Sequence, residues 1–497
     1  MVSMVGPIVT LIISLIVMLY IGWYSFKKRQ AESMEDYFLA SRTVGTLVVA
    51  LSLFATQYSG NSMIGYTARA YRIGFQQLVF PVFMVMIPVA YMLFIPKLYV
   101  LAHRRKYITL LDFLEDRFRS KTLCFIAGIF LFWGIYVQFI EQLQASGTLF
   151  AGLGSHIPYW SGVVVLGSII AVYVAIGGMR GAMLAQAIQG GIMFLGILFL
   201  IIYSWIHFGG LGSSVQKLLE ISPSKVLPPQ SSGGILNWAS TMALVGLGGA
   251  MYAHSIQQLF ASRNENVLKH SLARMAVLTF VTPTILVFIG IIAAANILGL
   301  SGMDTEKVIP MMLTQIMQRS TFAYWAMSIV FTAILMATLS TASGVLISLT
   351  TIIIRDFYRR FINPNVTDLK ATRVARWFNF VILIVSMILV LEPKTTIWRL
   401  TEIKFEGLLQ AVPAVLLGLY WSRATKPAII TGMLVGGVVA VGMSLSGNPR
   451  FLGIHGGVLG MLLNFFVAIT ISLMTSSKED EIQSFGEKFV NLFKLNQ

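Results

Sequence analysis

Apolar residues recur along this chain in runs of about twenty, long enough for a helix to cross the hydrocarbon of a bilayer. Thirteen such runs can be drawn: 4–24, 44–68, 77–98, 123–148, 159–177, 185–207, 236–258, 275–298, 323–351, 377–393, 405–421, 427–446 and 455–474. The pattern predicts an all-α integral membrane protein of about thirteen transmembrane helices. The first run is followed by Lys27, Lys28 and Arg29 with no small-residue cleavage site before them, so it reads as a span and not as a removed signal.

Three of the runs carry clusters of polar or small residues, and the second and seventh read as interrupted. The second contains Ala55-Thr56-Gln57-Tyr58-Ser59-Gly60-Asn61-Ser62. Polar groups are costly in hydrocarbon, so such a cluster has two readings. It is a helix broken near the bilayer midplane, with freed carbonyls for a cation and freed amides for an anion. Or its hydroxyls and amides bond back to helices. The ninth run contains Ala337-Thr338-Leu339-Ser340-Thr341-Ala342-Ser343-Gly344. Ser340 and Thr341 follow Ala337 by three and four residues and so share its helix face, where a carbonyl and two hydroxyls suit a hard cation. Helix packing by small residues uses the same letters. The seventh run carries Gly246-Leu247-Gly248-Gly249-Ala250, where glycine permits unwinding or close approach. It continues through Tyr252, His254 and Gln258. His254 is a candidate proton-linked switch or a hydrogen-bonded structural residue. In the fourth run Gln138, Glu141, Gln142 and Ala145 share a face, and Glu141 is expected in the outer third, within reach of water. Glu406, beside Lys404 at the opening of the eleventh run, reads as half of an interfacial ion pair.

Composition narrows the class. Of 497 residues, 56% are apolar and 11% are charged, against about 25% charged in soluble domains. The net charge of +16 sits in short clusters between apolar runs, which argues against a nucleic-acid surface. With the amino terminus outside and the carboxyl terminus in the cytoplasm, the inner loops and tail hold most of the 36 Lys and Arg. One cysteine, Cys124, excludes an intrachain disulfide and a thiolate zinc site. No GxxxxGK[ST] sequence supports ATP-driven transport. No nucleophile–base–acid or metal-ligand set at useful spacing points to an enzyme.

The two interrupted runs, second and seventh, lie five apart. If spans two to six and seven to eleven are repeats, their odd helix number gives them opposite orientations, the inverted-repeat transporter plan. The expected organisation is a first span and cytoplasmic loop (1–43), a first five-helix repeat (44–208), an outer loop (209–235), a second repeat (236–421), two peripheral spans (422–474) and a short cytoplasmic tail (475–497).

Ordered motifs then carry a resemblance. Asp36-Tyr37-Phe38-Leu39-Ala40-Ser41-Arg42, Gly177-Gly178-Met179-Arg180 with Gln189-Gly190, and Gly418-Leu419-Tyr420-Trp421 with Arg423-Ala424-Thr425, Gly432, Gly436 and Gly437 resemble signatures of the sodium/solute symporter family, whose fold is leucine-transporter-like. The general look is closest to its pantothenate and proline branches. The resemblance implies a sodium site between spans two and nine, with carbonyls from Ala55, Tyr58 and Ala337 and hydroxyls from Ser340 and Thr341. It implies a solute site around Gln57, Ser59, Ser62, Tyr252, His254 and Gln142. Gln186 stands where many members carry Asp, which argues for one sodium rather than two. The family's Pro-His pair reads Ala253-His254, and Gln258 replaces its Arg, so solute identity does not carry over.

The expected function is sodium-coupled uptake of a small organic solute such as a vitamin, amino acid or monocarboxylate, with Na+ as coupling ion and no cofactor. The partners are solute, sodium and membrane lipid, without nucleic acid. The expected location is a bacterial plasma membrane. The alternatives are a proton-coupled carrier using Glu141 or His254, and a transporter-like sensor or channel with little solute flux.

Overall fold

The computed structural model describes residues 3–27, 39–154, 157–176, 179–229 and 231–475. Residues 36–38 of the first motif, Gly177-Gly178 of the second and all but the first residue of the tail lie outside this set. The described chain is almost wholly helical. Its helices are α1 (Val5–Lys27), α2 (Thr46–Gln57), α3 (Thr67–Ile73), α4 (Val79–Arg105), α5 (Leu110–Phe118), α6 (Lys121–Ala151), α7 (Tyr159–Ile176), α8 (Met179–Phe208) and α9 (Leu211–Ile221). There follow α10 (Ser232–Ala250), α11 (Ala253–Phe260), α12 (Glu265–Asn296), α13 (Val308–Met317), α14 (Thr321–Thr351), α15 (Asp368–Val390), α16 (Ile397–Leu408), α17 (Val412–Tyr420), α18 (Lys426–Leu445) and α19 (Gly456–Met474).

Among the described residues, nine helical stretches are long and apolar enough to cross a membrane, and α10 with α11 forms a further, bent span. Three shorter apolar helices lie at Val5–Met18, Thr46–Gln57 and Tyr159–Ala171. Each stretch overlaps an expected apolar run. Side-chain caps fix where several helices begin: Ser120, Asn264, Ser320 and Thr396 accept the backbone N–H of Leu123, Val267, Ala323 and Arg399.

Both expected interruptions are real breaks. Helix α2 stops at Gln57, Tyr58 is extended (φ −102°, ψ 101°), and the chain resumes as a π-helical turn, Asn61–Tyr66, leading into α3. π-Turns are uncommon and cluster at functional sites. Gly60 allows the break to lie against α14, because a Cβ there would fall 1.9 Å from Thr338 Cγ2. The second break lies at Met251–Tyr252, where α10 and α11 meet at 50°.

Helix α14 is central: its apolar window is 94% buried, against 28% for that of α8. It packs on α8 and α6, while α2 packs on α8, and α4 on both α10 and α12. Helices α18 and α19 pair with one another, joined by the antiparallel residues Arg450–Phe451 and Ile454–His455. Arg117 donates to the carbonyls of Gly418, Trp421 and Ser422 and so closes the end of α17.

The eleventh span departs from the sequence reading. It begins at Ile397, not near residue 405, so Lys404 and Glu406 lie inside helix and are buried. Hydropathy misplaced the start because the charged residues of α16 are paired, Arg399 with Glu402 and Glu406 in the same helix, Lys404 with the distant Glu141, and Glu402 also with Arg69 and Arg450.

Candidate functional site

Every residue expected to bind sodium or solute is buried, and the two breaks bring them together. The Ser340 hydroxyl donates to the Ala55 carbonyl at 3.0 Å and to the Ala337 carbonyl at 2.8 Å. Thr341 donates to Ala55 at 3.2 Å and to the Thr56 carbonyl at 3.3 Å. These contacts join α14 to the last turn of α2, immediately before the break. Tyr58 caps α2 in its extended conformation, which takes its carbonyl out of the helical direction, and its phenol donates to Thr279 O at 2.8 Å on α12. The cluster is therefore made of neutral oxygens, two of them rotatable hydroxyls. Thr56 O was not among the oxygens foreseen.

Beside it lies a web of amides. Gln186 accepts from Ser52 and from Gln258, each at 3.0 Å, and donates to the Ser340 carbonyl at 2.9 Å. Gln258 also donates to Thr56 Oγ1 at 3.0 Å. The two glutamines singled out as departures thus contact one another and abut the cation-type cluster.

The solute candidates occupy the other side of the breaks. Gln57 reaches Ser255 Oγ (3.3 Å) and Tyr91 OH (3.5 Å). Ser59 and Ser62 both donate to Asn61 Oδ1. Tyr252 donates to Gln138 at 3.1 Å, and its ring lies 4.9 Å from that of His254. Gln142 donates to the Gln138 carbonyl, leaving its own Oε1 without a partner among the described residues, as are both ring nitrogens of His254.

Two sequence expectations are corrected here. Glu141 does not reach water: it has no exposed surface, and its carboxylate accepts from Thr401 (2.8 Å), Asn61 (2.7 Å) and Lys404 (2.6 Å). Glu406 pairs with Arg399 at 3.2 Å, not with Lys404. Both pairings follow from helix facing, since residues two apart on α16 point to different sides. Lys404 also donates to Gln138 Oε1 and is fully buried. Sequence reading left Lys404 out of the solute group, and its only signal was a lone cation in an apolar run.

Both ends of the site are closed. On the side of the loops expected outside, Tyr66 lies 5.2 Å from Trp398, and the Arg69 guanidinium stacks 3.7 Å above the Trp398 ring. Glu402 accepts from Trp398 Nε1 at 2.5 Å and pairs with Arg69 at 3.6 Å. Beyond this seal, a cavity of about 370 Å³ is lined by Gln144, Thr148, Tyr159 and Glu306 among others. There Glu306 accepts the Ile397 N–H at 2.5 Å, and burial raises its carboxyl to about 7. At the other end, Ser348 donates to Gln257 at 2.5 Å, and Val44 pairs its backbone with Ala261 and Arg263.

Comparison with known proteins identifies the fold and the family. The chain is 30% identical to the sodium/pantothenate symporter of Escherichia coli, over 92% of this chain and 94% of that protein. It is 27% identical to the osmoregulated proline transporter of Bacillus subtilis, over 94% of each. The fold matches that of a Na+-coupled sialic acid symporter solved in a substrate-bound outward-open state, with a TM-score of 0.79 at 17% identity, covering 95% of this chain and 98% of that one. The arrangement is thus leucine-transporter-like, with its two broken helices. The model of the sodium:solute symporter family matches residues 37–436, and the chain belongs to that family.

Proposed function

We propose that this protein is a secondary transporter that couples sodium entry to uptake of a small organic solute across a bacterial inner membrane. Its amino terminus lies outside and its carboxyl terminus in the cytoplasm, as the distribution of basic residues favours. The observation that carries the reading is the convergence of the Ser340 and Thr341 hydroxyls on the carbonyl of Ala55, at the end of a broken helix. With the carbonyls of Ala337 and Tyr58 they form a neutral, all-oxygen set. Such a set suits a monovalent hard cation, whose single charge needs no carboxylate cage.

Sodium between these groups ties α2 to α14 and favours one packing of the bundle. It drives transport only because it binds the loaded states unequally. Solute binds beside Gln57, Ser59, Ser62, Tyr252, His254 and Gln142, on the opposite side of the same break. Opening of the Tyr66–Trp398–Arg69 seal admits both, and parting of the Ser348–Gln257 contact releases them inward. Proton coupling through Glu141 is disfavoured by its three donors, Asn61, Thr401 and Lys404, at least one of which an arriving proton would have to displace.

The test is uptake into proteoliposomes under an imposed sodium gradient, using pantothenate and proline, the solutes of the two relatives, as first probes. Accumulation with sodium but not with choline supports the reading. Uptake that follows a pH gradient and ignores sodium overturns it.

A further inference from the structure

The solute side of the break holds a buried ion pair that the sodium reading does not use. Lys404 Nζ lies 2.6 Å from Glu141 Oε2, and neither side chain is more than 1% exposed. The pair is built in, not incidental. Glu141 is fixed by Thr401 of α16 and by Asn61, the first residue of the π-helical turn. Lys404 is fixed by Gln138 of α6, and its ammonium lies 4.9 Å from the Phe405 ring and 5.7 Å from the Tyr252 ring.

The hydrogen-bonding capacity left unmet here includes a charged donor. An ammonium has three N–H donors, and among the described residues Lys404 spends two. The neighbouring His254 has neither ring nitrogen engaged. Glu141 has three of its roughly four acceptor positions filled. The nearby acids of α16 are held as well: Glu402 by Arg69, Arg399 and Arg450, and Glu406 by Arg399. Among the described residues, the solute side of the break therefore offers an ammonium N–H and an imidazole beside the amide oxygen of Gln142, and each of its acids is already paired with a cation.

We propose that Lys404 is the specificity-determining residue for an organic carboxylate, and that Glu141 makes its binding depend on sodium. This rests on the symport reading above. Glu141 already neutralises Lys404, so an incoming carboxylate shares one ammonium with a second carboxylate. That adds a net negative charge to a buried site unless a cation enters with it. Sodium at the adjoining break supplies the charge, and Asn61, bonded to Glu141 and three residues from Tyr58, connects the two sites through the backbone. A cationic solute without a carboxylate would have to displace Lys404 from Glu141.

The test is thermal unfolding of the purified full chain in sodium or in choline at equal ionic strength. Probes are pantothenate, L-proline, pyruvate and N-acetylneuraminate, each beside a counterpart whose carboxylate is replaced by a neutral amide or alcohol. In the wild type a carboxylate raises the midpoint in sodium only, and its neutral counterpart does not. Lys404→Met weakens that carboxylate at least tenfold while keeping the shift caused by sodium alone. Because Lys404→Met leaves Glu141 buried without its partner, the double variant Lys404→Met/Glu141→Gln, free of both charges, is measured beside it, with the same expectation. Glu141→Gln binds the carboxylate in choline as well. Unaltered carboxylate binding in both Lys404 variants, equal stabilisation by the neutral counterparts, or no shift with any carboxylate overturns the proposal. Loss of the sodium-only shift in the wild type instead overturns the symport reading on which it rests.

Discussion

The Ser340 hydroxyl and the Ala55 carbonyl, 285 residues apart, lie 3.0 Å from each other, and through them the central helix α14 grips the broken end of α2. Thr341 grips the same carbonyl from one position further along. A cation bound there replaces two hydroxyl-to-carbonyl hydrogen bonds with direct ligation by the same oxygens. In the proposed site, removing either hydroxyl deletes a ligand and largely spares the packing, since Ser340→Ala and Thr341→Ala are small changes. Each alanine variant is expected to raise the sodium concentration for half-maximal uptake at least about tenfold, equivalent to about 1.4 kcal/mol. Sodium titration of uptake, with surface expression measured in parallel, checks this.

Gln186 leads to a second expectation. Its amide nitrogen faces the Ser340 carbonyl, and its oxygen is occupied by Ser52 and Gln258. N–H donors fill the space beside the cluster, which disfavours a second cation there. Uptake should therefore depend on sodium with a Hill coefficient of about one. A sigmoidal sodium dependence would show that this amide web does not exclude a second ion.

Gly60 tests the close approach at the break. A Cβ there would clash with Thr338 Cγ2, 1.9 Å away. Gly60→Ala should destabilise the protein by about 1–3 kcal/mol, as overpacking does. Adding Thr338→Ser removes the colliding methyl and should recover part of the lost unfolding midpoint. A Gly60→Ala protein as stable as the wild type would mean that α14 and the break do not touch as described.

Glu306 predicts a pH effect outside the membrane-spanning helices. Burial raises its carboxyl from the ordinary 4.5 to about 7, and the Ile397 N–H and Arg72 only partly oppose that. The folded protein thus holds this proton more tightly than the unfolded chain. Its contribution is fully present below about pH 4.5 and is lost as pH rises through about 7, worth up to about 3 kcal/mol. Glu306→Gln should flatten the unfolding midpoint over that window. An unchanged pH profile in this variant would assign the dependence to other groups.

Much of this was legible in the sequence. The spans were readable because hydrocarbon demands long apolar runs. The break at Tyr58 was readable because Thr56 to Ser62 concentrate polar groups where none should be. Ser340 and Thr341 were readable because positions three and four after Ala337 share a face, and what that face meets was supplied by the fold. Lys404 was misread for the opposite reason. Its nearest acids in sequence are Glu402 and Glu406, whereas its partner Glu141 is 263 residues away, a distance that no local pattern crosses. The start of α16 was misplaced with it, because a hydropathy scale charges the full desolvation cost for residues that here neutralise one another.

The most direct test of the central claim is the thermal unfolding midpoint of the purified protein in sodium against choline, measured for the wild type and for Ser340→Ala. The expected result is a sodium-specific rise in the wild type, because a ligand of the native state raises apparent stability, and its loss in the variant at the same sodium concentration. An equal sodium-specific rise in both proteins would place the ion elsewhere, and no rise in the wild type would contradict sodium coupling itself.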